Sequence, residues 1–285
     1  MDEILKKVIN WAESQESIRS LILTSSRAGA SKTDEFSDYD IMVLTDNAEL
    51  YLTSDEWLKT IDNLWVYQKE QFTHGEYVIP TRLTIFQGGT KVDFSFWKTE
   101  ILKYFIKNGF SETDDLNRGY QVLLDKDDLA KDLPKPSIKI FKNPKPDKDD
   151  FLTTVHDFWF EFLGVAKYLK RGDLFFAKKI DNGIVKDLFL RMIIWNVQAK
   201  NNWAKETPLH TDGKKLQSWA GNEIFEQLGR TYSGFNLEDS WKSLFASIEF
   251  FRNYQPKRVI CLGINIRNRL IKILVNILRP YIKSD

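Results

Sequence analysis

A chain of 285 residues, 42% apolar and 28% charged, has the composition of a globular protein with room for one large domain or two ordinary ones. Its net charge of +1 gives no broad electrostatic footprint for nucleic acid or an anionic membrane surface. A single cysteine, Cys261, excludes an intramolecular disulfide, and the three scattered histidines lack zinc-ligand spacing.

The N-terminal stretch MDEILKKVINWAESQ is charged and amphipathic, without a signal-peptide apolar core. Ile4, Leu5, Val8, Ile9 and Trp11 form one face of a helix over 4–15. Residues 20–24 and 40–45 are apolar enough, and short enough, to be strands. Thr53 and Glu56 have capping-box spacing, and Trp57, Leu58, Ile61, Leu64 and Trp65 continue a helical stripe. The run TRLTIFQGGTKVDFSFW, with Gly88 and Gly89 between two β-rich halves, predicts a hairpin.

From Leu133 the composition shifts. LPKPSIKIFKNPKPDKDD, rich in proline and lysine, predicts a linker over 133–150 between domains at 1–134 and 150–285. Beyond it the periodicity is helical: 151–172 with Gly172 as its stop, 183–197, 237–254 and 263–283. The expected class is therefore α+β, an N-terminal α+β domain followed by a C-terminal helical domain. The last apolar run is broken by Lys272 and Arg279 and falls short of the ~20 apolar residues a bilayer demands. A cytoplasmic protein with no membrane partner is expected. A basic run after Arg252 reads as a solvated helix face.

The chemistry concentrates in LILTSSRAGASKTDEFSDYDIMVLTD, Leu21–Asp46. Asp38 and Asp40 are two apart at the mouth of a strand, so their carboxylates point the same way while Tyr39 points opposite. Side-by-side anions repel, which suits a cation between them. Oxygen-only ligands favour Mg²⁺, which binds one or two carboxylates and completes its shell with substrate phosphates. Within KVDFSFW, Val92, Phe94 and Phe96 take one face of the strand, and Asp93, Ser95 and Trp97 the other. Asp93 is a third acid in an apolar setting and needs a partner or a metal. The small residues of TSSRAGAS let backbone amides come close to a phosphate, Ser25 and Ser26 add hydroxyl donors, and a helix starting there would point its N-terminus at the anion. Arg27 adds a cation for the phosphates.

Serine pair, D-x-D on a strand, then a later strand acid: this order resembles the nucleotidyltransferase superfamily. SSRA…FSDYDI, KVDFSF, LLDKDD, DFWFEFLGVAKYLKRGDLFFA, LFLRMIIWNV, DGKKL and TYSGFNLEDSWKSLFASIEFFR together resemble the aminoglycoside 6-adenylyltransferases over roughly residues 4–255. That resemblance implies a nucleotidyltransferase domain with a mixed sheet and flanking helices, then a helical bundle that binds substrate. It implies AMP transfer from Mg-ATP to an aminoglycoside hydroxyl, the 6-hydroxyl of streptomycin foremost, and antibiotic resistance as the consequence. Asp38 and Asp40 would hold Mg²⁺, and Asp93 would either complete the metal site or accept the hydroxyl proton. Lys167 would meet the triphosphate, and Asp157 and Glu161, one helical turn apart, the ammonium groups of the drug. ATP would lie between the sheet and the helical half. Two departures from the family pattern stand out: Ser25 occupies the place of a glycine, and the segment from Cys261 is basic and apolar where the family is acidic. Two other readings compete: transfer to another small molecule, a protein or RNA, and nucleotide binding without transfer.

Overall fold

The computed structural model describes residues 2–29, 34, 36–111, 114–137, 145–203 and 211–254. The chain separates into two compact units, 1–139 and 140–285.

The first unit is built on a six-stranded mixed sheet in the order β3-β4-β5-β2-β1-β6. Its strands are β1 (Ser20–Thr24), β2 (Tyr39–Leu44), β3 (Leu64–His74), β4 (Tyr77–Phe86), β5 (Thr90–Trp97) and β6 (Gln121–Asp125). All neighbours are antiparallel except β2 and β5, which run parallel. Alternation along these strands sends side chains to two separate cores. Tyr39, Ile41, Val43, Val92, Phe94 and Phe96 pack under α1 (Glu3–Ser14), α3 (Glu49–Leu52) and α4 (Trp57–Ile61). The opposite face, through Ile22, Met42, Leu44 and Trp97, packs against α5 (Glu100–Asn108). Trp11 stacks on Trp57 at 4.7 Å and holds α1 to α4.

Two expectations fail between residues 53 and 65. Thr53 makes no capping box; its hydroxyl donates back to the Glu49 carbonyl and closes α3. The helical stripe stops at Ile61, and Leu64 and Trp65 begin β3. The reason is tertiary. β3 pairs along its length with β4, and the ladder outweighs a local helical pattern. The hairpin at Gly88–Gly89 forms as expected, with both glycines at positive φ (+82° and +80°).

The second unit is helical wherever it is described: α6 (Lys148–Arg171), α7 (Leu174–Ile180), α8 (Lys186–Lys200), α9 (Leu216–Ala220), α10 (Asn222–Gly229) and α11 (Leu237–Tyr254). Asp147 and Asp150 cap α6 reciprocally, and Gly172, at φ +80°, ends it. Phe158, Phe162, Phe189 and Phe251 are fully buried, with Phe158 stacked on Phe251 at 3.6 Å. These aromatics are core and not a ligand platform. A π turn at Asp181–Val185 joins α7 to α8. The expected helix over 263–283 lies outside the described residues, as does the centre of the 133–150 linker. Among the described residues, no helix is long and apolar enough to cross a membrane.

Candidate active site

The parallel pairing of β2 with β5 builds the site. Its register sets Asp40 directly beside Asp93, with Tyr39 opposite Val92 and Ile41 opposite Phe94. Side-chain alternation then sends Asp40 and Asp93 to the same face of the sheet, and Asp38 to their edge. Thr24, the last residue of β1, lies opposite Asp40. Asp38 and Asp40, together with an acid far on in the chain, Asp93, therefore become neighbours on two adjoining strands.

The acids are not equivalent. The Asp38 side chain is 42% exposed and Asp93 only 15%. Burial pushes the Asp40 carboxyl up; a hydrogen bond with Ser25 offsets part of this, and the charges of Asp93 and Asp38 add to it. Burial also raises the Asp93 carboxyl, against hydrogen bonding and attraction from Lys91. One buried oxygen of Asp93, Oδ1, has no hydrogen-bond partner. A buried carboxylate oxygen without a donor is costly unless something positive meets it.

Sequence reasoning missed Lys91. Its Nζ donates to Asp38 Oδ2 at 2.7 Å and to Asp93 Oδ2 at 3.0 Å. Burial works against its charge, but the hydrogen bonds it donates to the two carboxylates win and raise its pKa. The available signal was its spacing of two from Asp93, which puts both side chains on one face of β5.

The serine turn is a single helical turn, α2 (Ser25–Ala28), too short to carry much of a dipole. Ser25 opens it with a left-handed backbone, φ +61°. That is the conformation glycine takes freely and serine takes under strain. Arg27 lies on the other side of β2 from the acids. Its guanidinium sits 3.9 Å over the Tyr39 ring, donates to the Ser37 carbonyl and pairs with Asp2.

On the acid face a cavity of about 240 Å³ opens, lined by Ser25, Asp40, Asp93, Glu70, Asp114 and Trp97 among others. Asp157, Glu161 and Lys167 belong to α6 in the second unit; Asp157 and Lys167 are exposed and Glu161 is partly buried. They stand on the rim of that helix, beside the buried Phe158, Phe162 and Ala166.

Among the described residues, no set of three or more Asp, Glu, His or Cys forms a metal cage. The donors still suit Mg²⁺: two adjacent carboxylates and an unpartnered carboxylate oxygen are hard oxygen ligands, and Mg²⁺ binds through one or two carboxylates plus substrate phosphates.

The family model described as streptomycin adenylyltransferase matches residues 1–269. The chain belongs to that family. The resemblance seen in the motifs is met, and the match runs past residue 255, where the motifs ended. The chain is 27% identical over 261 residues to the aminoglycoside 6-adenylyltransferase of Bacillus subtilis (strain 168), spanning 88% of this chain and 87% of that one. It is 26% identical to the enzyme of that name from Staphylococcus aureus, spanning 92% and 91%, and 26% identical to that of Campylobacter jejuni, spanning 88% and 85%. A crystal structure of an aminoglycoside 6-adenyltransferase from Bacillus subtilis aligns at 25% identity with a TM-score of 0.43, over 98% and 97% of the two chains. The protein is thus an enzyme of the nucleotidyltransferase class, and a nucleotide donor is the co-substrate this class uses.

Proposed function

We propose that this enzyme transfers AMP from ATP to a hydroxyl of an aminoglycoside, with the 6-hydroxyl of streptomycin the foremost acceptor, and thereby confers resistance to the drug. The observation that carries the reading is the register pairing of Asp40 with Asp93, with Asp38 at their edge, in a chain of this family.

Asp38 and Asp40 would hold Mg²⁺, which when bound neutralises phosphate charge and favours in-line attack at the α-phosphorus. The rest falls to the chain's own residues. Asp93 is well suited to accept the proton of the attacking hydroxyl. Burial raises its pKa, and a base works best when its pKa lies nearer the operating pH. Pyrophosphate leaves opposite the incoming oxygen. Ser25, which lines the cavity, and Ser26 beside it would meet the phosphates. Arg27, held against Tyr39, would brace the turn rather than touch the nucleotide. Residues 1–134 would form the nucleotidyl-transfer domain and 150–285 the substrate-binding one, where Lys167 would take the triphosphate and Asp157 and Glu161 the drug's ammonium groups. Aminoglycosides are polycations, and carboxylates beside aromatic surface bind cations with less screening than in open water.

The test is incubation with ATP, Mg²⁺ and streptomycin, then mass spectrometry of the drug. Addition of one AMP with release of pyrophosphate is expected. Firm ATP binding without an adduct on streptomycin or any other aminoglycoside would remove the acceptor from this proposal.

A further inference from the structure

Lys91 has no part in the transfer chemistry described above, yet among the described residues it is the cation in contact with the acids. It ties Asp38, just before β2, to Asp93 on β5, through hydrogen bonds of 2.7 and 3.0 Å. On Asp40 it acts only through charge; that carboxylate has Ser25 as its hydrogen-bond partner. Among the described residues one ammonium therefore faces three carboxylates, fewer positive charges than negative ones. The lysine is also only partly enclosed, with its side chain 34% exposed and that of Asp38 42%. Such a pair can come apart without opening the core.

We propose that Lys91 is an internal counter-cation of the acid cluster: it holds Asp38 and Asp93 together until a divalent cation and the nucleotide displace it, and it then pairs with the phosphates. The inference rests on the metal reading of Asp38 and Asp40. Its physical basis is competition for one carboxylate. An ammonium in contact with Asp38 and a doubly charged ion on the same group repel each other at short range. An arriving triphosphate offers the displaced ammonium a new anion within reach of its flexible stem. A lysine suits this exchange because its ammonium is a compact point charge on four rotatable bonds, whereas an arginine fork would grip a carboxylate bidentately. The unpartnered Oδ1 of Asp93 stays available throughout, since Lys91 uses Oδ2.

The test needs no turnover. Mn²⁺ is titrated into nucleotide-free wild type and Lys91→Met, by calorimetry and by paramagnetic resonance of the free ion, with Asp40→Asn as the control. Lys91→Met is expected to bind Mn²⁺ about tenfold more tightly or better. Its melting temperature should also rise with Mn²⁺ more than that of wild type. Its KM for ATP should increase, because the phosphates lose a partner. Equal Mn²⁺ affinity in wild type and Lys91→Met, abolished in both by Asp40→Asn, overturns the counter-cation while leaving the metal site intact. Absence of Mn²⁺ binding in every protein, even with a non-hydrolysable ATP analogue present, removes the metal reading and this inference with it. Lys91→Gln, which keeps the polar end without the charge, replaces Lys91→Met if the latter does not fold.

Discussion

Each unit of the molecule contains a lysine bound to a carboxylate, and the two pairs are built for different ends. In the first unit Lys91 reaches Asp38 and Asp93 from a partly open surface. In the second, Lys186 meets Asp181 at 2.8 Å with both side chains sealed, 6% and 8% exposed. The π turn makes that contact possible, because its i→i+5 geometry brings Asp181 under a residue five positions on. Lys186 also donates to the Thr231 carbonyl at 2.9 Å and lies 5.2 Å from the Phe189 ring, while Lys178 holds Ser233. Burial lowers the Lys186 amine, and Asp181 restores part of the charge. A sealed pair whose lysine is also tied to the Thr231 carbonyl pins a loop to a helix. A half-open pair with spare carboxylate oxygens can exchange partners. Exposure and unspent hydrogen-bonding capacity, more than the residue types, separate a structural ion pair from a functional one.

The largest expected effect lies in the open group. Asp38→Asn or Asp40→Asn should lower AMP transfer by a thousandfold or more, about 4 kcal/mol of barrier, because charge is lost with almost no change in volume. Asp40→Asn should melt no lower than wild type, since it removes a charge that burial disfavours. Steady-state rates and thermal melts check both. Near-normal turnover in either variant would reduce the open group to a second structural one. A pH profile adds the sign. Asp40 and Asp93 have raised pKa values and must be ionised to act, so the rate should fall with decreasing pH through a range above that of an ordinary carboxyl. Folding stability moves the other way there: the folded chain binds these protons more readily than the unfolded one, so acidification favours the fold through these two groups.

Next in size is the sealed pair. Lys186→Met leaves Asp181 buried without its cation and should cost about 3 kcal/mol of stability. Lys91→Met leaves Asp38 open to water but Asp93 largely enclosed, and should cost about 1 kcal/mol, well below the sealed pair. Urea unfolding of the two variants compares them directly, and equal losses would dissolve the contrast.

The third prediction tests the support of the serine turn. Gly119 lies against that turn at φ +147°, and a Cβ there would stand 2.6 Å from Gly29 Cα and 2.9 Å from the Ala28 carbonyl oxygen. Backbone cannot yield as a flexible side chain does. Gly119→Ala should cost about 2 kcal/mol and displace α2, raising KM for ATP more than KM for the acceptor. A variant with wild-type stability and unchanged KM for ATP would show that α2 does not need this close contact.

Much of the site was legible because it follows local rules. Asp38 and Asp40 share a direction by strand alternation, and Asp93 stood out as a lone acid between Val92 and Phe94. Lys91 was not legible, since a lysine in a strand ordinarily points to water, and its partner Asp38 is 53 residues away. The parallel register that joins Asp40 to Asp93 was hidden for the same reason: β3 and β4 lie between β2 and β5 in the chain, so no local spacing reports the pairing. β3 itself was misread because its exposed, mixed sequence carries no alternating pattern, while Trp57–Ile61 before it supplied a helical one. In the helical unit the long amphipathic elements were clear from periodicity, and α11 falls on 237–254 as expected. The π turn was not clear, because one extra residue in a helical turn leaves the apolar spacing almost unchanged.

The smallest expected effect is at Ser25, where two contributions oppose each other and can be separated. A serine at φ +61° carries left-handed strain of about 1 kcal/mol, while its hydroxyl bonds Asp40 and favours the ionised carboxyl. Ser25→Ala keeps the strain and loses the hydroxyl. Ser25→Gly loses both, with some of the gain returned as extra freedom of the unfolded chain. Ser25→Gly should therefore be more stable than Ser25→Ala by about 1 kcal/mol or slightly less in urea unfolding. In both variants the acid limb of the transfer rate should move to higher pH, because Asp40 has lost the bond that offset its burial. Equal stabilities would mean that the turn relaxes without strain. An acid limb unchanged from wild type would mean that the hydroxyl does not hold Asp40 in its charged form, and the open group would then depend on Lys91 and the metal alone.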